Sequence, residues 1–206
     1  MQQQVSATRM ELMNYKKRLV LAKRGHKLLK DKRDEMMRQF MILIQDYRDL
    51  RNKVEAALSG AFQGFIVARS GMANEFLEEA LLTSKDKISM TVSKGNIMNI
   101  KIPKLSLEYK GDIIGYGFSE TSGDLDYSLK LFADALPLMV RLSEKEKAIQ
   151  LLAVDIEKTR RRVNALEHVM VPSLEDALHQ IVLRLGEIER SALTRLMKVK
   201  DIVRKH

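Results

Sequence analysis

The chain has 206 residues, with 36 Lys and Arg against 27 Asp and Glu and a net charge of +9 at neutral pH. It has no Cys, no Trp and only 5% aromatic residues, which excludes disulfides, thiolate metal ligands and a cysteine nucleophile and leaves little to fill a thick globular core. It opens Met1-Gln2-Gln3-Gln4 without an apolar region behind, and stretches such as Phe40 to Ile44 fall far short of the roughly 20 residues a membrane helix needs, so neither a secretion signal nor a span is read.

Thr8 followed by Glu11 has the spacing of a capping box, and a heptad stripe begins directly after it. The stripe runs Leu12, Tyr15, Leu19, Ala22, His26, Leu29, Arg33, Met36, Phe40, Leu43, Tyr47, Leu50, Val54, Ala57, and twelve of these fourteen positions are apolar. So narrow and long a stripe must be buried against another helix in a left-handed coil. It continues more weakly through Ala61, Phe65, Ala68, Met72 and Phe76, where Gly60, Gly64 and Gly71 predict bending. Residues 1–82 are thus expected to form an N-terminal long helix.

Residues 83–123 change period. Ile88, Met90 and Val92 alternate, Lys94-Gly95-Asn96 supplies turn residues, and Ile100 and Ile102 follow, which predicts a β-hairpin turning at Gly95. Pro103 and the glycines at 111, 115, 117 and 123 then punctuate a loop or a short extra strand around Leu105, Leu107 and Tyr109.

Residues 124–206 are expected to form a second long helix. Its seam from Leu142 is Lys145, Ile149, Leu152, Ile156, Thr159, Val163, Leu166 and Met170. The same register would next reach Ser173 and Gln180. One extra four-residue step gives instead Leu174, Leu178, Ile181, Leu185, Ile188, Ala192, Arg195, Val199 and Ile202. That stutter coincides with Pro172, which has no N–H for the carbonyl of His168, so a kink or local unwinding is expected there. Pro137 is a second candidate break, one that would set off a short helix after Asp124.

Two such stripes bury one another only if the chain folds back. The expected fold is therefore mainly α: one domain, a long antiparallel two-helix coiled coil about 100 Å long, with a small β-hairpin knob at the end opposite the termini. Residues 1–60 hold 14 basic against 7 acidic side chains and residues 190–206 hold 6 against 1, so the antiparallel arrangement brings both basic segments to one tip. The tip comprises Arg9, Lys16, Lys17, Arg18, Lys23, Arg24, Lys27, Lys198, Lys200 and Arg204. Phosphate contacts are open to any basic patch, but no stacking aromatics, zinc motif or helix-turn-helix pattern accompanies this one. A solvated helix surface and a tip seated in a complementary protein socket are the other readings, and a free-standing scaffold that dimerises through its seams is a further class.

Chemistry is absent from the pattern. There is no Gly-x-x-x-x-Gly-Lys-Ser/Thr phosphate loop, and His26, His168, His179 and His206 lack zinc-site spacing, so no catalytic, cofactor or metal residues are assigned. His26 lies on the seam and is expected to make an interhelical polar contact that fixes register. The adjacent acids Glu78 and Glu79, and Glu175 and Asp176, suit solubility rather than acid–base work.

Two segments carry a resemblance. Arg24-Gly25-His26-Lys27-Leu28-Leu29-Lys30-Asp31-Lys32-Arg33-Asp34, and Glu157-Lys158-Thr159-Arg160-Arg161-Arg162-Val163-Asn164-Ala165-Leu166-Glu167, closely resemble the two signatures of the D subunit of V-type (archaeal or bacterial A/V-type) rotary ATPases. Pro172-Ser173-Leu174-Glu175 and Arg195-Leu196-Met197-Lys198-Val199-Lys200 also look like that family. The positions that carry it are Gly25, His26, Asp31, Arg160, Arg161, Arg162, Asn164 and Glu167, with Pro172 at the kink. The resemblance implies a non-catalytic rotor shaft whose coiled coil enters a hexamer of A and B subunits, with the ATP chemistry in those partners. It further implies a small F subunit, a C (d) subunit coupling the shaft to the membrane ring, proton or sodium transport, and a place in the peripheral sector on the cytoplasmic face.

Overall fold

The computed structural model describes residues 6, 8–82, 87–110, 116 and 121–204. In chain order the elements are α1 (Arg9–Ser70), α2 (Asn74–Leu82), β1 (Lys87–Ile97), β2 (Ile100–Lys110), α3 (Gly123–Ala165), a π-helical turn (Leu166–Met170) and α4 (Val171–Arg204). None of these helices is long and apolar enough to cross a membrane. The chain divides into two compact units, one combining Met1–Glu35 with Glu157–His206 and the other formed by Met36–Ile156. Gly111, Gly115, Gly117 and His206, singled out above, lie outside the described residues.

In the first unit, Thr8 Oγ1 accepts from the Glu11 N–H at 3.1 Å and so caps α1. From there Leu12, Tyr15, Leu19, Ala22, His26, Leu29 and Arg33 are all buried or half-buried, while most of the residues between them face solvent. The opposing stripe centres on Thr159, Val163 and Ile181, each almost fully buried. Burying a side chain such as Val163 or Ile181 contributes about 1.5–3 kcal/mol. Arg9 pairs with Glu189, Lys23 with Glu175 and His26 with Glu167. Partner numbers fall as α1 numbers rise, so the helices run antiparallel.

The register change is made by widening one turn. The Val171 N–H donates to the Leu166 carbonyl, five residues back, and the seam takes the same five-residue step. Met170, expected on the seam, is exposed, and Val171 replaces it. From Val171 the seam runs through Leu174, Leu178, Ile181 and Leu185, all half-buried or buried and spaced by three and four in alternation, with Ala177 half-buried beside them. A π turn holds one residue more than an α turn, and one residue is the discrepancy that the stutter requires. It also lies immediately before Pro172, whose ring would collide with the carbonyl four residues back in a regular α-helix.

Beyond Leu185 the predicted seam is not buried: Ile188, Ala192, Arg195, Val199 and Ile202 are all exposed. Arg9, the first residue of α1, already pairs with Glu189. Residues 190–204 therefore extend past the start of α1, and among the described residues no helix lies opposite them.

In the second unit, α1 continues through Gly60 and Gly64 and breaks only at Gly71, so the expected long helix to residue 82 is two helices. Gly64 marks a close approach, since a Cβ there would sit 3.4 Å from the Ser128 Cβ of α3. Phe62 and Phe65 meet Phe132 edge to face, with ring centroids 5.2 and 6.4 Å apart. Ala68, Leu77, Ala80 and Leu125 form one core cluster, joined by Tyr116. The Tyr116 hydroxyl donates to Asp126 at 2.5 Å, and burial, then this bond and the carboxylate charge, push the phenol well above its ordinary value. Pro137 lies inside α3 without dividing it. It is exposed, so the carbonyl that loses a donor can be hydrated.

The hairpin is in the middle of the chain as expected, but its turn is Met98-Asn99 rather than Lys94-Gly95-Asn96. Both residues have positive φ, 49° and 69°, which with the pairing Ile97–Ile100 makes a two-residue type I′ turn. Asn tolerates that conformation, whereas for Met it costs about 1–2 kcal/mol. Met98 and Ile100 pack against the cluster of Met36, Leu152 and Ile156, which offsets the strain. The hairpin is therefore folded back onto α1 and α3 rather than standing as an end knob. Gly95 sits within β1, where a Cβ would meet Ile102 at 3.2 Å and Lys104 at 3.1 Å. Pro103 and Leu105 belong to β2 and not to a loop.

Candidate partner interface

All ten residues expected at the basic tip belong to the first unit and all are exposed. They are not equivalent. Arg9 is held by Glu189 at 2.9 Å and Lys23 by Glu175 at 2.7 Å, while the Arg18 guanidinium lies 5.7 Å from the centre of the Tyr15 ring. Lys16, Lys17 and Arg24 line an open groove of about 470 Å³ with Val20 and Leu21. This is the outer face of α1, away from its seam, and it offers cations beside aliphatic surface. A second groove of about 470 Å³ on α4 brings Lys198 together with Arg190 and Arg195. Lys27, Lys200 and Arg204 point to solvent outside both grooves. Such exposed pairs contribute little to folding, which leaves these charges free to face something else.

The extending end of α4 adds apolar surface that charge counting missed. Leu193, Leu196, Met197, Val199, Ile202 and Val203 are all exposed, interleaved with Arg195, Lys198, Lys200 and Arg204. The signal was present in the sequence, since the seam stripe runs on to Ile202, but that no described helix lies opposite was not legible.

The residues that carry the resemblance fall into two groups. His26 Nε2 lies 3.3 Å from Glu167 Oε2, an interhelical contact that joins the two signatures directly beside the widened turn. The rest face outward: Asp31, Arg160, Arg161, Arg162 and Asn164 are exposed, with Arg161 bonded to Glu157, and a Cβ at Gly25 would meet nothing within 4 Å. Pro172 is exposed at the start of α4. Outward-facing polar side chains of this kind serve recognition or solubility, since they fill no core.

Comparison with known proteins gives one consistent result. The family model that describes the D subunit of ATP synthase matches residues 11–201. The chain is 50% identical over 203 residues to the V-type ATP synthase D subunit of Thermoanaerobacter sp. (strain X514), covering 98% of this chain and 97% of that protein. It is 51% identical to the D subunit of Acetivibrio thermocellus, covering 97% and 91%, and 47% identical to that of Clostridioides difficile (strain 630), covering 98% and 92%. The match runs through both units and every element described above, and the chain belongs to the ATP synthase D-subunit family.

Proposed function

We propose that the chain is the rotor shaft of a V-type ATPase, carrying torque between a hexamer of A and B subunits and the membrane ring. As a member of its family it is a non-catalytic part of the central stalk of the complex. The observation that carries the reading further is the uncovered end of α4, where six exposed apolar residues are interleaved with four cations on a stretch of helix, residues 190–204, that faces no other described segment. An end so built is completed by a surrounding socket. The hexamer's central opening is the socket that the family role supplies, with Arg9, Lys16, Lys17, Arg18, Lys23, Arg24, Lys27, Lys198, Lys200 and Arg204 as the facing charges. Charge spread over a surface suits a bearing, because a single deep binding well would stall rotation.

In this reading residues 61–137, within the second unit, carry the small F subunit and the C (d) coupler, and the assembly sits on the cytoplasmic face of the membrane. Rotation couples ATP hydrolysis or synthesis in the partners to proton or sodium movement. The seam suits torque transfer, since interlocked side chains resist unwinding of one helix about the other. The test is a capture experiment with two variants of the full chain. Reversing Lys16, Lys17, Lys198 and Lys200 together is expected to weaken capture of the A/B hexamer and spare the F subunit; deleting residues 86–104 is expected to spare hexamer capture. If both variants lose the same partner, the assignment of ends is wrong.

A further inference from the structure

The two edges of the β1–β2 ribbon are finished differently. In a hairpin with a two-residue turn the flanking pair, here Ile97–Ile100, is hydrogen-bonded, and bonded and non-bonded pairs alternate from there. The outward-pointing N–H groups are therefore those of Ile88, Met90, Val92, Lys94 and Asn96 on β1, and of residues 101, 105, 107 and 109 on β2. Position 103 on β2 is Pro, which has no N–H to leave exposed. The next outward donor, the Leu105 N–H, bonds to Glu144 Oε2 of α3 at 3.2 Å. The β2 edge is thus closed by a proline and a helix.

On β1, among the described residues, neither device is present. Its eleven residues include no proline and no acid, and every side chain from Lys87 to Lys94 is exposed. Ile88, Met90 and Val92, exposed by 54%, 54% and 64%, share the face that also carries Leu105 and Leu107. Long open edges of this kind pair readily with another strand. The charge is one-sided, since residues 87–110 hold five lysines and one glutamate. A second copy would bring a ribbon of the same net positive charge, which is unfavourable at close range.

We propose that the outer edge of β1 binds an extended acidic segment of a partner protein, which adds to the ribbon as a third strand. Main-chain bonds to Met90, Val92 and Lys94 hold it, its alternate apolar side chains lie beside Met90 and Val92 on one face, and its carboxylates, on the opposite face, answer Lys87 and Lys104.

Amide hydrogen exchange of the full-length chain tests this, with a capped eight-residue peptide of alternating glutamate and valine as probe. At saturation the amides of Met90, Val92 and Lys94 are expected to slow at least tenfold, while those of Thr91 and Ser93, already bonded to β2, change little. A peptide with lysine in place of glutamate is expected to give no protection. Val92→Pro, which copies on β1 the device found at Pro103, is expected to weaken peptide binding at least tenfold while Thr91 and Ser93 stay protected. Should that variant lose the hairpin, Lys87→Glu with Lys104→Glu serves instead, with the same expected loss. Equal protection by both peptides, protection by neither, or protection that grows with protein concentration without peptide would overturn the proposal, the last by making a second copy the occupant.

Discussion

The two units of this chain are built on opposite terms. Met1–Glu35 with Glu157–His206 holds 21 Lys and Arg against 11 Asp and Glu, a net charge of +10, and its described buried side chains are Ala22, Thr159, Val163 and Ile181. Met36–Ile156 holds 15 against 16, a net charge of −1, and it buries Met36, Val54, Leu77, Leu125, Leu152, Ile156 and several alanines. One unit has a core of its own; the other has a seam and a highly charged exterior. Apolar residues left at the surface of the first unit are therefore available to a partner, and the like charge around them opposes self-association.

Leu152→Ala, in the core of the second unit, is expected to lower stability by about 2–5 kcal/mol, measured by thermal or urea unfolding. Leu196→Ala, at the exposed end of α4, is expected to change it by no more than about 0.5 kcal/mol while weakening capture by the A/B hexamer. Equal destabilisation by the two would show that the first unit covers its own end, and the contrast would fail.

The widened turn gives the next largest effect. Deleting the exposed Val169 makes the seam a continuous heptad and places Pro172 in a regular α-helix, at a cost of about 3 kcal/mol. Adding Pro172→Ala to that deletion is expected to restore most of the loss. Pro172→Ala alone is expected to keep the five-residue turn, because Leu174, Leu178 and Ile181 still require it, and to shift stability by less than about 1 kcal/mol. Exchange of the Val171 amide separates these cases.

The alkaline limit should belong to the second unit. Tyr116 keeps its proton in the folded chain at pH values where the unfolded chain has lost it, so its contribution is complete below the ordinary phenol value near pH 10 and falls as pH rises above it. Tyr116→Phe is expected to flatten that alkaline decline, read from melting temperature against pH. A gain in stability is expected of Gly60→Ala, where a Cβ meets nothing within 4 Å. It is expected to stabilise α1 by about 0.5–1 kcal/mol. The same change at Gly25, equally open, should stabilise the isolated chain alike, and a loss of ATPase coupling there alone would mark Gly25 as a contact.

Much of this fold was legible because a two-helix seam is a local periodicity. From Leu12 to Ala68 every predicted seam position is buried or half-buried, and the hairpin's strands were visible in the alternation of Ile88, Met90 and Val92. Its turn was misplaced by three residues because Gly95-Asn96 has turn composition, whereas Met98 accepts a left-handed conformation only through contacts with Met36, Leu152 and Ile156. Those partners are distant in sequence, so no local rule could weigh them. The stutter was legible but not its form, since counting shows that a residue is extra and not whether a kink or a wider turn absorbs it. Of the candidate interface, the cations were read directly from composition; their separation into paired and unpaired, and the uncovered end of α4, depend on where α1 begins.

A helix ordinarily ties the number of its residues to the direction in which each points, at about 100° apiece. Between Leu166 and Val171 that tie is loosened, because hydrogen bonding five residues back admits one more residue without turning the rest of the helix. Reach and aim thus become separately adjustable in this arm. Lys198, Lys200 and Arg204 keep their bearing about the helix axis whether the segment before Pro172 holds five residues or four, provided the seam beyond stays seated. A difference in length that would misdirect every later side chain in an unbroken helix can be taken up here, inside a regular element and not in a loop.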